Sequence, residues 1–235
     1  MHRRQFVAGA AAWIAGSRAV FSVSSQDLVI ASMLDDTDAA LDEGIDFGVR
    51  EANQSGALFG WRVTRTRVPS GEQASGIVVS RGADETRIRS GSLSILTRCS
   101  APGPHRTSLV VGDCRRRDPA GGVAIVEWFG QLERFGAAQL NDRFRAAYRH
   151  DMTADAWLGW ISVKMVLDSA MRAKSNDPAA LLAYLRKPDA RFDGHKGVPL
   201  YFRDGLLVQP MYALRLRGSA WTLEREIPPS TTGHS

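Results

Sequence analysis

Apolar positions along the chain fall into two alternating rhythms. Leu28 to Ser32 is a short, continuous, β-branched run, the pattern of a strand covered on both faces, and it reads as the first strand of a parallel sheet. Leu41, Ile45, Val49 and Ala52 then recur at intervals of four, four and three, which predicts an amphipathic helix through about Asn53. Asp35, Asp36, Thr37 and Asp38 supply its N-cap and first-turn acids, and Ser55 and Gly56 end it. From Trp61 to Val68, Trp61, Val63 and Val68 alternate with Arg62, Arg65 and Arg67, giving a second strand. A strand, helix, strand unit of this kind implies a right-handed parallel crossover.

The stretch from Pro69 to Gly122 predicts short strands at Gly76 to Val79, Leu93 to Leu96 and Leu109 to Val111, separated by Arg-rich solvated loops that include Arg115 to Arg117. Beyond it, Val123 to Trp128 reads as a buried strand, and Ala137, Leu140, Phe144, Ala147 and Tyr148 form a helical stripe. Ala154 to Ala173 is a longer helix with Trp160, Val163, Val166, Leu167 and Ala170 on one arc and a Lys164, Asp168, Arg172 ladder on another. Asp177 caps a further helix with Pro178 at its first position, ended by Pro188. Val198 to Phe202 and Val208 to Leu216 predict a hairpin with Asp204 and Gly205 between them.

Composition and charge narrow the function classes. The 235 residues carry 30 Lys+Arg against 25 Asp+Glu and are 44% hydrophobic, a globular balance with no membrane-length apolar run. Arg3, Arg4 and Phe6 precede a mild apolar stretch from Val7 to Gly16, the layout of a bacterial export signal; it resembles the twin-arginine type, with an ordinary export signal that begins on two Arg as the alternative. Loss of residues 1–22 leaves 27 basic against 25 acidic residues, so most of the basic excess belongs to the signal. Between Arg62 and Arg117 there are 11 Arg and four acids but no Phe, Tyr or Trp, which argues against a stacking surface for nucleic acid. Cys99 and Cys114 either close a loop in an oxidising compartment or stay as two buried thiols. No Cys or His spacing marks a metal site, and no nucleophile elbow, phosphate loop or dinucleotide fingerprint is present, so no cofactor is expected.

Three C-terminal segments carry a family resemblance: Thr153 to Lys164 (TADAWLGWISVK), Asn176 to Arg186 (NDPAALLAYLR), and Phe192 to Arg203 (FDGHKGVPLYFR) followed by Gln209-Pro210-Met211-Tyr212. Together they resemble the C-terminal part of type I periplasmic solute-binding proteins of ABC transporters, the branched-chain amino acid type, over roughly Val123 to Arg217. Weaker support comes from Asp27 to Val68. Glu133 to Phe144 (ERFGAAQLNDRF) is similar to members that accompany quinone-dependent alcohol oxidation. The resemblance implies an α/β fold of parallel sheets, with one complete lobe and a reduced or missing second lobe, because the chain is short for two. It divides the chain into residues 1–22 as signal, 23–217 as the binding domain and 218–235 as a tail.

The resemblance further implies a monomeric periplasmic receptor that binds a small solute, such as an amino acid, without chemistry and delivers it to an inner-membrane ABC permease. Ligand contacts are expected from loops at the carboxyl ends of strands. They map to Ser32, Met33 and Leu34 after the first strand, to Thr97 after a later one, and to Trp128 near the crossing between lobes, with hydroxyls and backbone amides suited to a carboxylate. Two rivals stand beside this reading. One is a degenerate relative acting through protein contacts or without a ligand; the other is an exported enzyme built around Asp35, Asp36 and Asp38, for which helix capping is the simpler account.

Overall fold

The computed structural model describes residues 26–82, 85–99 and 108–229; the expected export signal lies outside them. The first unit follows the sequence pattern: β1 (Gln26–Met33), α1 (Ala39–Gly56) and β2 (Trp61–Arg67), with β1 and β2 parallel from Gln26 opposite Trp61 to Ser32 opposite Arg67. One 3-10 turn, Asp36–Asp38, leads into α1, and the Asp38 carboxylate accepts from the Asp35 amide at 3.1 Å. The acids after β1 thus begin a helix, as their spacing suggested.

The Arg-rich middle holds β3 (Ile77–Ser80), β4 (Leu93–Leu96) and β5 (Ser108–Val110), every residue of them buried. They continue the sheet in parallel. Next come β6 (Arg117–Ala120), β7 (Val123–Val126), α2 (Ala137–Tyr148), α3 (Ala154–Ala173) and α4 (Pro178–Leu185). The chain then adds β8 (Tyr201–Arg203), β9 (Leu206–Val208), β10 (Met211–Arg217) and β11 (Ala220–Ile227). Two sheets result. The larger has the order β2-β1-β3-β4-β5-β9-β8, with only β8 antiparallel to its neighbour; the smaller, β11-β10-β7-β6, is wholly antiparallel.

Three expectations change here. The hairpin is β8 with β9, turned at Asp204-Gly205, and not Val198–Phe202 with the whole run to Leu216. Pro210 breaks that run, since it has no amide to extend a ladder, and β10 departs to the smaller sheet. Of Val123 to Trp128, the strand is Val123–Val126, half-buried except for Ala124 and paired antiparallel with β10, while Glu127 and Trp128 beyond it are buried. Within the expected tail, Ala220–Ile227 form a strand: β11 pairs with β10 along its length, from Met211 opposite Ile227 to Arg217 opposite Ala220.

One continuous core joins the larger sheet, the helices and the inner face of the smaller sheet, through Ala124, Tyr212 and Leu214. Its centre is the α1–α3 contact, made close by glycine. A Cβ on Gly44 would stand 2.0 Å from the carbonyl oxygen of Ala156, and one on Gly159 would stand 2.6 Å from that of Leu41. The opposite sheet face is covered differently. Neither β3→β4 nor β4→β5 contains an α-helix among the described residues; Ala31, Met33, Ala74 and Val78 form a small second core there with Val68 and Ile88.

Candidate functional site

Six chain segments converge at the carboxyl edge of the larger sheet. Asp35 and Asp38 follow β1, Arg81 follows β3, Thr97 to Cys99 follow β4, and Gly112 to Cys114 follow β5. Arg116, Asp118 and Glu127 come from the β6–β7 region, and Asp155 from the first turn of α3. They line a cavity of about 520 Å³, within the usual range for small-molecule sites. Cys99 and Cys114 are joined by a disulfide, which ties the loop after β4 to the loop after β5. Those loops also touch closely at Gly112, where a Cβ would lie 2.2 Å from the Thr97 carbonyl oxygen. On the chain-entropy estimate a 15-residue loop contributes about 3 kcal/mol. Replacing both cysteines by serine is expected to lower unfolding stability by about that amount, read as a lower urea midpoint; an unchanged midpoint would show that the bridge constrains nothing.

The cavity's charges form an alternating chain. Arg81 donates to Asp38 at 2.7 Å and, through both terminal nitrogens, to Asp155 at 2.9 and 3.3 Å. Arg116 donates to the same Asp155 oxygen at 2.7 Å and stands 3.6 Å from Glu127 Oε2. Burial alone would raise the Asp155 carboxyl, but Arg116 and Arg81 outweigh it and hold Asp155 below the usual carboxylate range. Glu127 is fully buried, and desolvation raises it despite the opposing pull of Arg116 and the Asp113 amide, which donates to Oε1 at 3.1 Å. Its other oxygen, Oε2, has no hydrogen-bond partner.

Behind Glu127 lies Lys196, also fully buried. Its ammonium donates to Gln209 Oε1 at 2.7 Å and to the Pro210 carbonyl at 3.1 Å, and it sits 3.9 Å from the centre of the Trp157 ring. Desolvation brings its pKa down to about 7, against the attraction of Glu127 and Asp113.

Of the five positions named from the sequence, Thr97 lines this cavity, with its hydroxyl donating to the Ser80 carbonyl at 3.1 Å. Ser32 lies buried with its Oγ accepting from Arg65 Nε at 2.9 Å, and Met33 belongs to the second core. Leu34 packs against the main core. Trp128 stacks on Trp157 at 5.7 Å and donates from Nε1 to Asn141 Oδ1 at 2.8 Å. Sequence reasoning passed over Arg81, Arg116, Glu127, Asp155 and Lys196. The available signal was Glu127 itself, a carboxylate at the end of the apolar run Val123 to Val126 and just before Trp128.

The fold is that of type I periplasmic binding proteins. A benzoate-bound ABC-transporter solute-binding protein from R. palustris superposes with a TM-score of 0.65 at 12% identity, over 89% of this chain and 98% of that one. A substrate-binding protein from Desulfitobacterium hafniense in complex with Leu gives 0.61 at 11%, over 84% and 100%. A branched-chain amino-acid transporter binding protein from Streptococcus pneumoniae with isoleucine gives 0.59 at 14%, over 86% and 99%. At these identities the likeness shows the fold. No protein-family model matches the sequence, and no curated protein matches it. Among the described residues no helix is long and apolar enough to cross a membrane.

Proposed function

We propose that this protein is the periplasmic solute-binding component of an ABC transporter, exported by a twin-arginine-type signal, and that it hands a small solute unchanged to an inner-membrane permease. The observation that carries this reading is the carboxyl-edge cavity, built by loops from successive parallel strands and stiffened by the Cys99–Cys114 bridge. Open parallel sheets place ligands at such edges. Holding suits the site better than reaction, because Arg81, Arg116, Asp38 and Asp155 are committed to one another as structural ion pairs. Thr97 is the sequence-named position retained as a ligand contact. The protein is proposed to act as a monomer.

A thermal-shift panel of amino acids, short organic acids, alcohols and amines on the exported protein tests this. A ligand at 100 times its dissociation constant adds about 2.7 kcal/mol, or roughly 5–10 °C for a chain of this size. A rise of that order with one chemical class is expected. No response across the panel would leave the fold without the function and favour a relative that acts without a solute.

A further inference from the structure

We infer that the carboxyl-edge cavity is selective for a cationic amine and rejects carboxylates, an inference that rests on the solute-binding reading and specifies its ligand. The solutes in the three superposed proteins, benzoate, leucine and isoleucine, all carry a carboxylate. Holding such a group takes uncommitted guanidiniums, hydroxyls or amides, and the two inner guanidiniums and several of the inner donors of this cavity are bonded within the chain.

Asp155 already fills the clamp between Arg81 and Arg116, as an incoming carboxylate would. The Asp35 and Asp113 amides donate to Asp38 and Glu127, the Thr97 amide donates to the Ser80 carbonyl, and the Thr97 hydroxyl donates there too. Of the lining cations, Arg98 is left at the exposed rim, 3.9 Å from Asp118.

Acceptors, by contrast, are in surplus. Among the described residues six carboxylates line the cavity, Asp35, Asp38, Asp113, Asp118, Glu127 and Asp155, against three guanidiniums, Arg81, Arg98 and Arg116; Asp113 is held from outside the lining by Arg115 at 2.9 and 2.7 Å, which leaves five against three. The surplus includes Glu127 Oε2, buried in the lining and without a hydrogen bond, with its nearest cation at 3.6 Å. A buried orphan acceptor is costly unless something donates to it, and an ammonium group supplies a charge-assisted donor.

The test compares ligands that differ in one charged group. Leucine, its decarboxylated analogue 3-methylbutylamine and its deaminated analogue 4-methylpentanoate are titrated into the wild-type protein by calorimetry, with putrescine as a dication. The amines are expected to bind at least tenfold more tightly than leucine, with 4-methylpentanoate silent. Glu127→Gln, which keeps the side-chain shape, should weaken amine binding at least tenfold. Asp155→Asn should free the arginine pair and give 4-methylpentanoate a measurable affinity.

Binding of leucine or 4-methylpentanoate to wild type as tightly as the amines would overturn the charge inference while leaving solute binding intact. So would undiminished amine affinity in Glu127→Gln. Silence of all four probes, together with silence of the wider panel, would remove solute binding itself. The wild-type comparison stands even if a variant does not fold.

Discussion

Gly44→Ala is expected to destabilise the protein by about 3 kcal/mol or more, although alanine is the better helix former by about 1 kcal/mol. The two effects have opposite signs, so the measurement separates propensity from packing. Gly44 lies in the middle of α1, and its missing side chain lets the backbone of α3 approach; a methyl there would sit 2.0 Å from the Ala156 oxygen and 2.7 Å from the Ala156 Cα. Both partners are backbone and cannot rotate away. The reciprocal position, Gly159 on α3, meets Leu41 and Ile45 of α1 in the same way, so the helices would have to part along the seam that buries Leu41, Ile45 and Trp160. Urea unfolding of Gly44→Ala beside Gln54→Ala, an exposed site on the same helix, checks this. A stabilised Gly44→Ala would mean that the two helices are not in contact at this depth.

The second large effect is electrostatic. Wild-type stability should rise between pH 7 and pH 9 by up to about 1.4 kcal/mol per pH unit, and Lys196→Met should abolish the rise. Lys196 titrates near 7 in the folded protein and near its ordinary value of 10.5 in the unfolded chain. Between those values the unfolded state holds the extra proton, so raising the pH favours folding. Glu127 works in the opposite sense. Its folded value is raised by burial, so the native state holds the extra proton above the ordinary carboxylate range, and stability falls there as pH increases. Urea midpoints taken from pH 7 to pH 9 read the alkaline limb. A flat alkaline limb in the wild type would show that Lys196 stays charged in its pocket.

How much of this was legible in the sequence depended on where each element finds its partners. Strands β3, β4 and β5 were readable because each is an apolar or β-branched run that must be buried whatever surrounds it. α3 and α4 were readable from apolar spacing and from caps that act locally, such as Asp177 accepting from the Ala180 amide. β6 was not readable, since Arg117-Asp118-Pro119-Ala120 is fully exposed and extended only because β7 lies beside it. β11 is similar; after Trp221 and Leu223 its pattern gives way to the charged run Glu224, Arg225 and Glu226, and its register is set by β10. The ion-pair chain escaped notice for a related reason. Arg81 and Asp155 are 74 positions apart, and each alone looks like an ordinary surface charge. Topology, more than pattern, brings them to one sheet edge.

The Cys99–Cys114 bridge has a consequence for timing. Two of the segments that shape the cavity leave neighbouring strands and would otherwise sample many arrangements, which a visiting solute would have to freeze out each time it docked. Oxidation makes that restriction once and permanently, so an oxidised molecule meets its solute with this wall already set, whereas a reduced one would bind the same compound more weakly through the same contacts.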